Sequence, residues 1–343
     1  MTAAPEHTPT MVRRTVSELI VPFTPLCMVI FLICAGYLAI GIPSSWMTLT
    51  LSGLAMGMMY FIMSTGLTLV FGLMDVINFG HGAFVSLGAF VGVTVLLQLG
   101  AFSESPVLWQ NIAAVLLSIC AAMAVCAAVG WGFERLIVRP VYGSHLNQIL
   151  VTMGGLIVAE QLIIVFWGPE EIYFSRPEML KGSTEILGAT VEKFRVLVVS
   201  LGLAVFALMR WVLRRTKIGL IVRAGVEDRE MVMALGYRLR LVFVGVFVAG
   251  SALAGFGGAV WGMYQEVITA HMGNQALILI FIVVIIGGLG SVEGCFIGAL
   301  LVGLMQNYVA FLAPKFALLS NIGLMVAILM WRPMGMIPVV KAK

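Results

Sequence analysis

A chain of 343 residues that is 61% hydrophobic and only 10% charged lies far from the roughly 25% charged composition of a soluble domain. That balance excludes a water-soluble enzyme or binding domain and leaves a multi-span membrane protein. The net charge of +4 follows from a topological bias set out below and does not point to nucleic acid.

The first 24 residues are polar and contain Pro5, Pro9 and Pro22, so they read as a cytoplasmic lead-in to an uncleaved first span. A membrane span needs about 20 mostly apolar residues, because ~30 Å of hydrocarbon is crossed at 1.5 Å per residue. About ten segments qualify: 25 to 42, 47 to 72, 82 to 99, 110 to 133, 146 to 167, 195 to 213, 240 to 264, 274 to 288, 294 to 312 and 317 to 331. Several are short, and eight spans with a re-entrant pair fit the same pattern. Each is a dense apolar run without the alternation of a barrel strand, so the expected fold is an all-α polytopic helix bundle. Even Ile282 to Ile286, a strand-like run in water, is expected to be helical here. No stretch is polar enough to form a second domain. The expected organisation is a lead-in over 1–24, one membrane domain over 25–338 with a cytoplasmic loop at 214–240, and a tail over 339–343.

Basic residues resist translocation and mark the cytoplasmic side. With both termini inside, that side holds fifteen of the twenty Lys and Arg residues, eight of them between Arg210 and Arg240. The outer loop at 168–194 carries five glutamates instead. Cys27, Cys34, Cys120, Cys126 and Cys295 have no metal or redox spacing and read as small packing residues. No GxxxxGK[ST] phosphate loop occurs anywhere, so any ATP that drives this chain is expected in another subunit.

The charged interruption at 216–240 is the most informative local feature. Glu227 to Gly236 reads as a short helix. Acidic Glu227, Asp228 and Glu230 suit its positive end, and Gly236 supplies a left-handed stop. Met231, Ala234 and Leu235 share one apolar face while Asp228 and Arg229 point elsewhere. Such a face suits a groove on a partner protein, and it suits lipid headgroups equally well.

Gly219, Arg223, Ala224, Arg229, Glu230, Ala234 and Gly236 resemble the cytoplasmic loop of permease subunits of ATP-binding-cassette importers, of the branched-chain amino acid, H-type family. The run GLTLVFGLMDVINFGHGAFVSLG within Gly53 to Gly88, the stretch Gly287 to Ala299 and the closing WRPMG at Trp331 to Gly335 are similar to the same family. The resemblance covers about 48 to 338. The more general permease loop has a leading Glu that is not evident before Ala224, and the first span extends beyond the shortest members. The resemblance implies a permease in a bacterial inner membrane, paired with a second, non-identical permease, two ATPase subunits holding ATP and Mg, and an extracytoplasmic solute-binding protein. It implies that Arg223, Ala224, Asp228, Arg229, Glu230, Met231, Ala234, Leu235 and Gly236 couple to the ATPase. Family solutes include branched-chain amino acids, urea, short amides and aromatic or dicarboxylic acids. The chain itself is then no enzyme and carries no cofactor.

Five polar residues are candidates for a pathway or gate. Asp75, Asn78 and His81 sit between two apolar helices, either lining a gate or making a tight turn in which Asp75 or Asn78 caps the next helix. His81 is a proton relay or the donor of one structural hydrogen bond. Glu160 and Gln161 fall inside the fifth span, where a carboxylate costs roughly 2.5 to 3.5 kcal/mol and must face protein or water. Gln265, Glu266, His271, Asn274 and Gln275 form a polar outer turn that receives a delivered solute, contacts a solute-binding protein or is simply solvated, and Gln306 and Asn307 suit interhelical hydrogen bonds. Gly-rich stretches at 250–262 and 286–299 suit close helix packing, and a polar break in each half hints at an internal repeat. Two other classes stay open at this point. A proton- or ion-coupled carrier would use Glu160, Asp75 or His81, and an intramembrane enzyme would need a catalytic partner that Glu160 lacks on its own helix.

Overall fold

The computed structural model describes residues 24–186, 188–217, 219–221, 224, 229–236 and 238–337. All ten predicted spans form helices: α1 (Thr24–Ile40), α2 (Pro43–Met74), α3 (His81–Gln98), α4 (Leu108–Phe133), α5 (His145–Trp167), α6 (Lys193–Arg215), α8 (Leu239–Gln265), α9 (Met272–Gly287), α10 (Val292–Leu312) and α11 (Ala317–Trp331), with the short α7 (Arg229–Ala234) between α6 and α8. Ile282 to Ile286 lies in α9, so the membrane environment overrides its strand propensity.

Among the described residues, eight helices are long and apolar enough to cross a membrane, counting α4 through Val141 and α11 from Pro314. The fold is therefore an all-α polytopic membrane bundle. The remaining two, α1 and α9, have 17 and 16 residues. The reason for the short α9 is positional, because it begins halfway along the bundle.

Helix α2 is the central post, apolar all round and buried along most of its length. Glycines let its neighbours come close. A Cβ on Gly66 would lie 2.2 Å from the Gly250 carbonyl oxygen of α8, and one on Gly303 of α10 would lie 2.4 Å from the Gly57 nitrogen. The Gly-rich stretches are thus packing surfaces, as expected from their composition. Helices α5, α6 and α11 form an outer layer and expose large apolar side chains such as Leu150, Trp211 and Met330. Cys126 and Cys295 are buried, whereas Cys27 and Cys34 of α1 and Cys120 of α4 are exposed.

Contacts Met63 to Gly257 and Val70 to Gly250 run in opposite chain directions, so α2 and α8 are antiparallel. They end alike, at opposite ends of the bundle. Asp75 caps α2 in the left-handed conformation (φ 55°) and Glu266 caps α8 the same way (φ 57°). From these caps the sequences DVINFGHG (75–82) and EVITAHMG (266–273) align without a gap. In both, the next helix starts at the seventh position. These two segments are the polar breaks of the two halves, and they run in opposite senses through the bundle.

The described residues of the loop at 168–194 carry secondary structure. Strand β1 (Ile172–Tyr173) pairs antiparallel with β4 (Val267–Ile268), and β2 (Ser183–Ile186) pairs with β3 (Ala189–Glu192) as a hairpin. Arg176 pins this cap, bonding Glu192 Oε2 at 2.9 Å and the Tyr264 carbonyl at 3.1 Å.

Candidate functional site

After Asp75 the chain does not make a tight turn. It climbs back along α2, and His81 Nε2 bonds the Met63 carbonyl at 2.8 Å, a position ~16 Å back from the end of α2. Helix α3 therefore begins in the interior. From the opposite end, 266–271 descends in the same manner, held by β4 and then by Ser86, whose hydroxyl donates to the Ala270 carbonyl at 2.8 Å. The Gly273 amide donates back to Ser86 Oγ at 2.9 Å. The starts of α3 and α9 thus meet at Gly82 and Gly273, where a Cβ on Gly273 would stand 1.9 Å from the Gly82 carbonyl oxygen. Two positive helix ends converge at half depth.

Neither Asp75 nor Asn78 caps α3. Its N-cap is Gly80, with no side-chain cap bond, because Asp75 is spent ending α2 and Asn78 sits beside Gly80 within the ascending segment. Asn78 is 1% exposed and its Oδ1 has no hydrogen-bond partner among the described residues. His81 is equally buried, its ring bonded to the Met63 carbonyl. Phe79 anchors the segment to α5 through its amide, which donates to Thr152 Oγ1 at 3.2 Å.

Glu160 faces inward from α5. Its Oε2 is 2.9 Å from His271 Nδ1, and His271 is the N-cap of α9. The partner that α5 itself lacks comes from a residue 111 positions away. The carboxylate is buried (8% of the side chain exposed), and Oε1 has no partner among the described residues, whereas the imidazole is 55% exposed. Glu266 and His271 of the outer turn are thus engaged within the chain: Glu266 Oε1 accepts the Arg176 amide. Gln161 is exposed on α5 and does not join this cluster. Gln306 and Asn307 do make interhelical bonds, Asn321 Nδ2 donating to Gln306 Oε1 at 2.5 Å and Asn307 Nδ2 to the Leu49 carbonyl at 2.6 Å.

At the Asp75 end, α7 covers Arg229–Ala234 of the helix expected over Glu227 to Gly236, and Glu227 lies outside the described residues. Arg223 and Asp228 lie outside the described residues, and Arg229 and Glu230 are described by backbone alone. Ala224 is helical and partly buried. Gly236 takes φ 84° and its amide bonds the Met233 carbonyl, the left-handed stop its sequence position suggests. Val232 anchors the helix at 3% exposed, while Met231, Met233, Ala234 and Leu235 face outward. Met233 borders a basic cleft of about 580 Å³ that also contains Trp131, Arg135, Arg139 and Arg238.

Sequence reasoning placed His271 in the outer turn but missed its pairing with Glu160, and it missed Ser86 and Arg176 altogether. The signal available for the first two was the paired DVI and EVI runs, each followed by a glycine at the eighth position.

Residues 49–330 match the family described as "Branched-chain amino acid transport system / permease component". The high-affinity branched-chain amino acid transport system permease protein LivH of Salmonella typhimurium is 26% identical over 83% of this chain and 93% of its own length. BraD of Pseudomonas aeruginosa, named as the same kind of permease protein, is 27% identical over 83% and 94%. LivM of Escherichia coli, another permease protein of such a system, is 25% identical over 91% of this chain and 75% of its own length. No solved structure matches.

Proposed function

Since the chain belongs to the permease family of branched-chain amino acid transport systems, we propose that it forms one half of the solute pathway of an ATP-driven importer for branched-chain amino acids. The solute comes from the names of the LivH and BraD relatives, and its second permease, a non-identical one, from the similarity to both LivH and LivM proteins. In this reading two ATPase subunits hold ATP and Mg, a solute-binding protein delivers from outside, and the chain sits in a bacterial inner membrane with both termini in the cytoplasm. The organisation is a lead-in, a single membrane domain and a short tail.

The observation that carries the ATPase partnership is the outward apolar face of α7, anchored by Val232 beneath. Met231, Met233 and Leu235 are each more than half exposed on a short helix set between clusters of arginine, a shape and chemistry suited to a protein groove. Arg223, Ala224, Asp228, Arg229, Glu230 and Gly236 complete this coupling loop. The mechanics follow from connectivity. A push on α7 passes through Gly236 into α8, a rigid rod of ~40 Å. At its far end α8 breaks at Glu266 and leads directly to His271 and the start of α9. Motion at the ATPase is thereby delivered to the half-depth junction, with Asp75, Asn78 and His81 as the matching scaffold in the other half.

The ion- or proton-coupled carrier is not favoured, since the relatives are permease proteins of branched-chain amino acid transport systems; of its candidate residues, His81 is sealed against Met63. The test replaces Met231 and Leu235 together by aspartate. The expected result is loss of ATPase subunits on co-purification and of ATP-dependent leucine uptake, with the membrane domain still monodisperse in detergent. Uptake by the purified chain alone, without ATP, would refute the proposal.

A further inference from the structure

A polar face at half depth cannot rest against lipid, because the groups on it would go without partners. Helix α9 presents such a face. His271, Asn274, Gln275 and Ile278 are exposed along one side of its first two turns, with Phe281 continuing the line. The helix starts where α3 starts, in the interior of the bundle. Beneath His271 lies the buried Glu160 carboxylate, one oxygen bonded to the imidazole and the other without a partner among the described residues. An acceptor buried to this degree without a donor is costly unless a donor arrives.

We infer that this face binds the solute in transit, as a zwitterionic aliphatic α-amino acid. Its ammonium group goes to Glu160, its carboxylate to the positive start of α9 beside Asn274 and Gln275, and its side chain to Ile278 and Phe281. The inference rests on the importer reading above and assigns within it the groups that touch the solute. The order of chemistry along α9 supplies the specificity: acceptor and donors at the helix start, hydrocarbon one and two turns below. A solute lacking the ammonium leaves Glu160 without its donor. One lacking the aliphatic group leaves Ile278 against water. His271 acts as the cover, since its exposed ring bonds the same carboxylate that the ammonium engages.

Two measurements on the intact assembly test this. In cells whose own copy of the chain is replaced, Glu160→Gln lowers leucine uptake at saturating leucine by about tenfold to a hundredfold, the range for losing a hydrogen bond to a charged group. Co-purifying ATPase is unchanged, and Glu160→Asp restores part of the uptake. Independently, a cysteine placed at Ile278 reacts with a membrane-impermeant maleimide, and leucine slows that reaction. Equal uptake by Glu160→Gln and the unaltered chain overturns the site while leaving the importer standing. So does an Ile278→Cys that is unreactive, or reactive but not protected by leucine. No leucine uptake by the unaltered chain sinks the importer reading and this inference together.

Discussion

Replacing Gly273 by alanine perturbs the junction at its tightest point. The new Cβ would stand 1.9 Å from the Gly82 carbonyl oxygen and 2.7 Å from Ser86 Oγ, so the starts of α3 and α9 must move apart by more than an ångström. Overpacking of this kind costs roughly 1 to 3 kcal/mol. The displacement also strains the two bonds through Ser86, at 2.8 and 2.9 Å, each worth about 1 kcal/mol. The total is about 3 to 5 kcal/mol. Gly154→Ala is the control, in mid-helix on α5 with nothing among the described residues within 4 Å of its Cβ; there alanine gains up to about 1 kcal/mol of helix propensity. At about 1.4 °C per kcal/mol for a chain of this length, Gly273→Ala unfolds roughly 4 to 7 °C below the unaltered protein in detergent, and Gly154→Ala at or slightly above it. Tryptophan fluorescence reads both midpoints. If the two variants shift alike, close packing of α3 on α9 is not what holds the junction.

Arg176→Ala removes the bonds to Glu192 and Tyr264 from a cap whose glutamates are partly solvated, a local loss of about 1.4 kcal/mol. Proteolysis within 183–192 then runs about tenfold faster, and an unchanged rate refutes the pinning role. Asn307→Leu loses one interhelical bond to Leu49, expected to cost about 0.6 kcal/mol, and a loss above 2 kcal/mol would mean that Asn307 does more than pair two helices. His81→Gln keeps a donor for the Met63 carbonyl, so leucine uptake retains its rate and its pH profile between about pH 6 and 8. A flattened profile would identify His81 as a proton carrier.

Much of the bundle is legible in the amino-acid sequence because its determinants are local. About 20 apolar residues make a span whatever lies beside them, and the run from Ile282 to Ile286 is helical for that reason. The left-handed stop at Gly236 and the apolar face of Met231, Ala234 and Leu235 follow from spacing within a single turn or two. The glycines of 250–262 announce close packing because small residues have no other use on a buried helix face. Depth is different. Composition treats Asp75 to Gly80 as a turn, and only the bond from His81 to Met63 places the start of α3 in the interior. Glu160 is conspicuous in the sequence as a carboxylate in a span, yet its partner is 111 residues away and reaches it only because α8 breaks at Glu266 and sends the chain back inward. Local chemistry sets which segments are helices. Which helices stop halfway, and which polar groups meet there, depends on long-range packing of glycine faces that no short window of sequence contains.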